Sequence, residues 1–566
     1  MKTCSFKARL CALVLAAAML LSACGGTTAQ TSSSSETSTA AETAESAAPR
    51  AITEYGTYIG AEDADTGVAV YKGITYGQAE RWQRAVLPEK TDAEISALEY
   101  GPAPMQDPEN TWGCLLDGGM DADCLNLNLF VKNDGETKKP VMVWIYGGAQ
   151  QVGSNIGYEG EEYDGCAMIA ENPDIILVVP NYRTGFWGSV NLSVLDGYSE
   201  EYSASNNLAR TDILLSLQWV RENIEAFGGD PDNVTLFGQS AGSNNISCLL
   251  LMEEAHQYFR KAICESSFAC DISLGSLEDS AIVSKAYFDS LGVTTVEEAL
   301  AKTDEELLAA QKEITANSVS GASAFAEIES KLFTPIADGV VIPTDYWETL
   351  MAGGMGDIKL MTGTNAGEYD NQYGDWENDP QAALDFTISQ NWGKLSDHGW
   401  NKDNAQAVID EFYSHNEEYN RSDFVAAMDL KNDLYLRVGA LAYASVFSQF
   451  KDTYVYYFEY EKDTDDLERA YHGIEIPIVF NHDYLGTPET LQKGIRQAWL
   501  NFARTGDPNN EYLGTTWKPY NNTTHDTLII SETPEMVEGV RQDDVDLLMP
   551  LLREAREYPD FLKLLG

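Results

Sequence analysis

The sequence predicts an α/β protein in which a mostly parallel sheet carries helices on both faces. Two apolar runs, VMVWIY at 141–146 and DIILVV at 174–179, have the length and β-branched content of buried strands, and NVTLF follows at 233–237. Strands that are buried on both faces and alternate with helices are typical of a parallel sheet. Between the second and third runs, apolar residues recur at alternating intervals of four and three, which places them on one helix face: Ile213, Leu217, Val220, Ile224 and Phe227.

The N-terminus has the pattern of an export signal. Lys2, Lys7 and Arg9 precede an apolar run over 10–21 that is too short to span a membrane comfortably. The run ends in LSAC at 21–24, which resembles the lipobox of bacterial lipoproteins; the alternative is an ordinary cleavage site with an incidental cysteine. We therefore predict a signal peptide over 1–23, lipidation of Cys24, and an exported, cell-surface lipoprotein anchored to a bacterial membrane.

Three segments are expected along the chain. Residues 24–50 hold the lipidated cysteine and a Ser-, Thr-, Ala- and Glu-rich stretch with little to bury, which predicts a flexible tether. Residues 51–566 show no second linker and no internal repeat, so we expect one large domain, with further strands at 358–363 and 453–461. The Glu-, Ala- and Leu-rich stretch 276–330 predicts a helical insertion that caps the sheet. No later stretch is long and apolar enough to span a bilayer, so membrane contact is expected only through the lipid anchor.

Charge limits the partners that the protein can bind. The chain has 89 acidic and 37 basic residues and a formal charge of −52. Such a surface repels nucleic acid and anionic membranes, because binding phosphates requires Lys and Arg. Neutral or cationic small substrates remain compatible with it, and the acidic surface also keeps an exported protein soluble. The sequence leaves the oligomeric state open.

The cysteines predict no metal site. Export permits disulfides, and proximity along the chain makes Cys114 with Cys124, and Cys264 with Cys270, the candidate pairs. No CxxC or Cys/His spacing is present, so we expect no metal and no cofactor.

Gly238-Gln239-Ser240-Ala241-Gly242 follows the NVTLF strand and precedes a helical pattern over 241–252. The motif alone is weak, but a strand that delivers the serine and a helix that follows it are the context that a nucleophile needs. A serine nucleophile also requires a base and an orienting carboxylate, in the order Ser, acid, His for this topology. Five of the six histidines satisfy this order, so order alone does not identify the base.

Segments along the whole chain carry a resemblance. FGGDPDNVTLFGQSAG at 227–242 is similar to the type-B carboxylesterases, a family that includes cholinesterases and has the α/β-hydrolase fold. Other segments resemble the family in the same order, from about residue 51 onward: YKGITYG (71–77), DADCLNLNLFV (121–131), VMVWIYGGAQ (141–150), NYRTGFWG (181–188), LFTPIADG (332–339), YHGIEIPIVF (471–480) and WLNFARTGDPN (499–509).

The resemblance implies a catalytic triad of Ser240 as nucleophile, Glu368 as acid and His472 as base. Asp370 and His482 are the nearest competitors for the last two roles. The resemblance also implies an oxyanion hole formed by the backbone N–H groups of Gly148, Ala149 and Ala241.

The chain departs from the family pattern at several positions. Gln150 stands where an apolar or aromatic residue is expected beside the acyl pocket, and Gln239 replaces a Glu before the serine. Gly367 replaces an acid, and Met105 lies near the position of the first disulfide cysteine, which leaves the pairing of Cys124 open.

These features predict a serine hydrolase that cleaves carboxylic esters of small molecules through an acyl-enzyme. Two alternatives remain open from sequence. One is a surface-binding or adhesion protein on the same fold, although such members typically lose a triad residue. The other is a hydrolase of amide, thioester or carbonate bonds.

Overall fold

The computed structural model describes residues 48–270, 273–319, 332–370, 379–382, 384–385, 402–460, 469–482 and 487–564. The chain separates into two units, Met1–Ala47 and Ala48–Gly566, and every described residue lies in the second. The predicted signal peptide, Cys24 and tether residues up to 47 lie outside the described residues, so these remain predictions.

Sixteen strands lie within the described residues. In chain order, β1 to β16 are Arg50–Thr53, Gly56–Ile59, Ala61–Glu62, Ala69–Thr75, Glu94–Ser96, Asn126–Val131, Lys139–Ile145, Gly157–Tyr158, Glu161–Glu162, Ile176–Pro180, Gly229–Gln239, Lys261–Glu265, Lys359–Asn365, Thr453–Phe458, Asp526–Ile530 and Glu535–Glu538.

Eleven of these strands form the central sheet, in the order β16-β15-β14-β13-β12-β11-β7-β10-β6-β4-β3. The pairs from β10 through β7, β11, β12, β13 and β14 to β15 are all parallel. Antiparallel pairs flank this block on both sides. On one side β16 pairs with β15; on the other side β6 pairs with β10, β4 with β6, and β3 with β4. The five strands expected from apolar runs correspond to β7, β10, β11, β13 and β14, so the predicted α/β architecture is confirmed.

Helices pack against the sheet in the described part of the chain. The α-helices are Cys166–Glu171, Gly185–Gly188, Leu208–Asn223, Ala241–Leu251, Leu277–Leu291, Val296–Leu300, Asp304–Val319, Tyr346–Met351, Lys402–Ser414, Asp423–Asn432, Val438–Phe447, Glu475–Val479, Glu489–Thr505, Gln542–Leu548, Arg553–Glu557 and Pro559–Leu562. Short 3₁₀ segments are Leu192–Val194, Glu200–Tyr202, Ser205–Asn207, Ile224–Phe227, Glu253–Ala255 and Met549–Leu551, and Asp433–Arg437 is a π-helical turn.

The amphipathic helix expected from the sequence is Leu208–Asn223, continued by the 3₁₀ turn Ile224–Phe227. All five apolar residues of its predicted face are buried. Gly228 ends the element in the left-handed region, at φ +86°. The stretch 276–330 is helical as far as it is described, over Leu277–Leu291, Val296–Leu300 and Asp304–Val319, and its remainder lies outside the described residues.

The candidate cysteine pairs named from proximity do not form disulfides in the structure. Cys114, Cys124 and Cys264 carry free, buried thiols. Cys264 lies in β12, whereas Cys270 packs near Gly439 of the helix Val438–Phe447, so closeness along the chain does not bring their side chains together. Burial raises the pKa of the Cys114 thiol to about 11.

No helix in the described ranges combines the length and apolar character needed to cross a bilayer. Within the same ranges, no group of three or more His, Cys, Asp or Glu side chains could hold a metal ion.

Candidate active site

Ser240 lies on a strained turn between β11 and the helix Ala241–Leu251. Its backbone has φ +57° and ψ −125°, a region that residues other than glycine rarely adopt. The Ser240 N–H donates to the carbonyl of Glu265 at the end of β12, at 2.9 Å. The sheet therefore fixes the serine on its carboxyl-terminal edge.

The two glycines around Ser240 are required by close packing against β7. A Cβ at Gly238 would lie 2.4 Å from the carbonyl oxygen of Ile145, and a Cβ at Gly242 only 1.8 Å from the same oxygen. Any larger residue would collide with the backbone. This is the steric demand expected of a tight strand–serine–helix turn.

Glu368 and His472 form a hydrogen-bonded pair. The imidazole Nδ1 lies 2.6 Å from Glu368 Oε2, and the His472 N–H donates to the Glu368 carbonyl at 2.9 Å. Glu368 is fully buried just after β13, and its Oε1 accepts the N–H of Asn365 at 2.7 Å. A carboxylate at Nδ1 favours a proton on that nitrogen and leaves Nε2 to act as the base.

Ser240 and His472 line the same cavity of about 420 Å³, together with Gly148 and Ala149. His472 Nε2 accepts no hydrogen bond from any described residue, so it is not bonded to the serine in this structure. Such contacts are often long in free enzymes and tighten when substrate binds. The other lining residues are Trp112, Gly147, Tyr158, Glu159, Tyr163, Gln239, Tyr369, Gly473 and Ile476.

Gly148 and Ala149 lie in the loop after β7, and both have positive φ, +117° and +51°. Ala241 is the first residue of the helix that follows the serine. None of these three N–H groups donates to another described residue. Free N–H groups at a helix N-terminus and in a tight loop are suited to bind an oxyanion.

The two competing residues have other surroundings. Asp370 is ion-paired with Arg469 at 2.7 Å and does not contact an imidazole of the described residues. His482 lies outside the set of residues that line the cavity, and its N–H donates to the carbonyl of Pro477.

Two further buried acids, Glu475 and Glu265, lie near the pair, and only the family pattern around Glu475 indicated either of them. Asn365 Nδ2 donates to Glu475 Oε2 at 2.8 Å. Burial and the charge of Glu368 raise the pKa of Glu475 to about 7. Glu265 accepts the indole N–H of Trp499 at 2.7 Å, and burial and the charge of Glu475 raise its pKa well above the ordinary value.

The cavity wall contains aromatic residues that sequence reasoning missed. The ring of Tyr369 lies 4.9 Å from the imidazole of His472, at an interplanar angle of 31°. Trp112 and Tyr158 come from segments far from either residue along the chain. Tyr369 directly follows Glu368, and this adjacency was the one available signal.

One departure from the family pattern has a different role from the one expected. The family pattern predicts that residue 150 lies beside the acyl pocket, but the Gln150 side chain is buried and turned toward the helix after Ser240. It hydrogen-bonds to Ala241 and Asn245 there and is not among the residues that line the cavity. The polar side chain explains this, because its amide finds partners at the helix start that an apolar residue could not use.

Comparison with known proteins agrees with this geometry. The model of the carboxylesterase family matches residues 48–548. The para-nitrobenzyl esterase of Bacillus subtilis (strain 168) is 31% identical over 507 residues, which cover 84% of this chain and 94% of the relative. Carboxylesterase 1E of Mus musculus is 28% identical over 543 residues, covering 88% of this chain and 92% of the relative.

Solved structures are similar over the same extent. A carboxylesterase of Geobacillus stearothermophilus has a TM-score of 0.73 and 27% identity, and the match covers 88% of this chain and 99% of that one. A PNB esterase structure has a TM-score of 0.70 and 29% sequence identity, and the match again covers 88% of this chain and 99% of that one. The fold, the family match across most of the chain and the relatives together lead to one conclusion: this chain belongs to the carboxylesterase family.

Proposed function

We propose that the protein hydrolyses carboxylic esters, with Ser240 as the nucleophile. The observation that carries this is the convergence of Ser240, His472 and the unbonded N–H groups of Gly148 and Ala149 at one cavity. Glu368 holds His472 from behind, and the unbonded N–H of Ala241 directly follows the serine. The serine Oγ attacks the ester carbonyl and forms a tetrahedral intermediate. Collapse of the intermediate releases the alcohol and leaves an acyl-enzyme, which water then hydrolyses.

His472 moves the protons in both halves of this reaction. Its Nε2 takes the proton of the Ser240 hydroxyl and gives it to the leaving alcohol; it then activates water in the same way. Glu368 holds the imidazole through Nδ1 at 2.6 Å and stabilises the imidazolium while that charge exists.

The N–H groups of Gly148, Ala149 and Ala241 stabilise the negative charge that develops on the carbonyl oxygen. They supply donors that need no reorganisation during the reaction, because the loop and the helix start are already in place. A neutral substrate fits a cavity whose lining is mainly aromatic and backbone, and its volume of about 420 Å³ suits short acyl groups.

The test is hydrolysis of p-nitrophenyl acetate, butyrate and dodecanoate by the native chain and by Ser240→Ala. We expect turnover of the two short esters to be lost in Ser240→Ala, and Ser247→Ala, on the same helix, to retain it. Undiminished turnover in Ser240→Ala would remove the serine from the mechanism. A fluorophosphonate probe should label the native chain at Ser240; a binding protein without catalysis would stay unlabelled.

The bond type is tested with matched substrates. We expect p-nitrophenyl butyrate to be cleaved much faster than butyryl p-nitroanilide, because the ester has the better leaving group and needs less help from the general acid. Faster cleavage of the anilide would instead make the protein an amidase.

We also propose that the mature protein is a lipoprotein held to a bacterial membrane through Cys24. The support is the LSAC quartet at 21–24 after a charged and apolar leader. In a bacterial host, the native chain should partition into the detergent phase of Triton X-114 and Cys24→Ser should not. Cys11→Ser, within the leader, is the control and should behave as the native chain does. Equal partitioning of Cys24→Ser would exclude the anchor.

A further inference from the structure

The loop that follows β7 contains two consecutive residues in an unfavourable conformation. Ala149 has φ +51° and Gln150 has φ +63°, although neither is glycine. Side chains with a Cβ are disfavoured in this region, so neighbouring contacts must hold the loop in place.

The side chain of Gln150 makes such contacts. Its Nε2 donates to the carbonyl of Ala241 at 3.1 Å and to Asn245 Oδ1 at 2.9 Å. Asn245 Nδ2 donates back to Gln150 Oε1 at 3.3 Å, which closes a reciprocal pair of amides. Both side chains are buried, so these hydrogen bonds do not compete with solvent.

This amide pair connects the two segments that supply the proposed oxyanion donors. Gln150 directly follows Ala149 in the glycine loop, and Asn245 lies one turn after Ala241 on the helix. The hydrogen bonds that join residues 147–153 to the helix Ala241–Leu251, within the described part of the chain, all involve Gln150.

The other hydrogen bonds of residues 147–153 to described residues are made within the loop or to segments other than this helix. The N–H groups of Gln151 and Val152 donate to the carbonyl of Gly148 inside the loop itself. Tyr158 Oη donates to Gly147, and Gln106 holds Gly153. These contacts shape the loop, but none of them is a hydrogen bond to the helix.

We propose that Gln150 and Asn245 are a positioning pair that sets the spacing between the N–H groups of Gly148 and Ala149 and the N–H group of Ala241. Catalysis depends on this spacing because the donors must meet the oxygen where charge develops, and a displacement of about 1 Å can cost about a hundredfold in rate. The inference rests on the proposed oxyanion donors and goes beyond them, since neither Gln150 nor Asn245 lines the cavity.

The first test is Gln150→Met, which keeps an unbranched side chain of similar length and removes the amide. We expect kcat for p-nitrophenyl butyrate to fall about 10- to 100-fold, with KM within about threefold, because the donors act mainly on the transition state. The matched control is Gln151→Met, the neighbouring half-buried glutamine, which should keep the native kcat. Affinity for a trifluoromethyl ketone inhibitor should fall in parallel with kcat in Gln150→Met.

The second test asks whether the two amides act through each other. If they do, Asn245→Ala should lower kcat, and the double variant should be little worse than either single one. The exchange Gln150→Asn with Asn245→Gln should recover part of the kcat that Gln150→Asn alone loses, and it decides the question if Gln150→Met does not fold. A purely structural pair would lower the unfolding midpoint and leave kcat unchanged well below that midpoint.

The outcomes separate this inference from the proposed function. A folded Gln150→Met enzyme with native kcat, or additive losses with no recovery in the exchange, would overturn the positioning pair while Ser240→Ala stays inactive. Full activity of Ser240→Ala would instead overturn the mechanism on which the inference depends.

Discussion

Arg469 Nε donates to Asp370 Oδ2 at 2.7 Å, and this ion pair joins the loop that carries Glu368 to the loop that carries His472. A backbone hydrogen bond from the Gly367 N–H to the Ala470 carbonyl, at 2.9 Å, runs between the same two loops. The acid and the base are thus held together by contacts outside the pair itself.

Arg469→Met should destabilise the protein more at high pH than at low pH. Burial already raises the pKa of Asp370, and loss of the guanidinium raises it further. The folded state of the variant therefore holds a proton on Asp370 at pH values where the unfolded chain has released it. Stability therefore falls as pH rises. We expect a loss of about 3 kcal/mol in the free energy of unfolding at about pH 8, and less at about pH 5.

Urea unfolding at the two pH values measures this loss. The control is Arg504→Met, because the partner of Arg504, Asp174, is about half exposed and such pairs contribute about 1 kcal/mol or less. Equal losses for the two variants would show that the Arg469 pair adds nothing beyond a surface pair.

Glu368→Gln should keep the shape of the triad and remove its charge. The amide cannot stabilise an imidazolium, and it favours the wrong tautomer of His472, so kcat should fall by about 10²- to 10⁴-fold. Glu159→Gln, which removes a carboxylate that lines the cavity, is the control and should keep most of the native kcat. If both variants retained similar activity, Glu368 would not be the orienting acid.

Gly242→Ala should fail to form the active turn. Its Cβ would lie 1.8 Å from the Ile145 carbonyl oxygen, so β7 and the helix after Ser240 must separate. We expect loss of fluorophosphonate labelling and a clear drop in the thermal midpoint. At Gly119, with φ +75° and open space around it, alanine should cost only about 1 kcal/mol and leave labelling intact. Native labelling of Gly242→Ala would contradict the packing argument.

Glu475 should make stability fall as pH rises. Its pKa is about 7 in the folded protein against an ordinary value of 4.5, so between these values the folded state holds a proton that the unfolded chain has lost. The stabilisation by this proton is fully present below the ordinary pKa of 4.5 and is lost above the folded-state pKa of about 7. Glu475→Gln should therefore gain about 3 kcal/mol relative to the native protein between about pH 4 and pH 8.

The measurement is the difference in unfolding free energy between Glu475→Gln and the native protein across that range. Lys431, whose pKa burial lowers to about 7, titrates in both proteins and cancels in the difference. A difference that does not change with pH would show that Glu475 titrates normally.

Local patterns in the sequence predicted the α/β architecture, five strands of the central sheet and the strand–serine–helix context of Ser240. Buried parallel strands such as β7 and β11 contain apolar runs, and Gly238 and Gly242 bracket Ser240 directly after such a run. The contact that excludes a Cβ at both glycines is with the carbonyl of Ile145 in β7, which is distant along the chain. The identities of the acid and base required the family resemblance, because several acids and histidines satisfy the order in the chain.

The remaining features depend on contacts between distant residues. Gln150 and Asn245 are 95 positions apart, and Asp370 and Arg469 are 99 apart, so no local pattern connects them. The cysteine pairs show the converse, since Cys264 and Cys270 are close in sequence and their environments differ. Proximity along a chain that enters and leaves a sheet does not predict contact between side chains.

The backbone conformation of Ser240 affects any attempt to make this protein more thermostable. With φ +57° at that position, glycine would fit with less strain than serine, so selection for heat resistance alone rewards loss of the hydroxyl. At residue 240, a substitution that increases thermal stability thus abolishes turnover. Improvements in shelf life should be sought on the solvent-facing helices, with turnover assayed at every round.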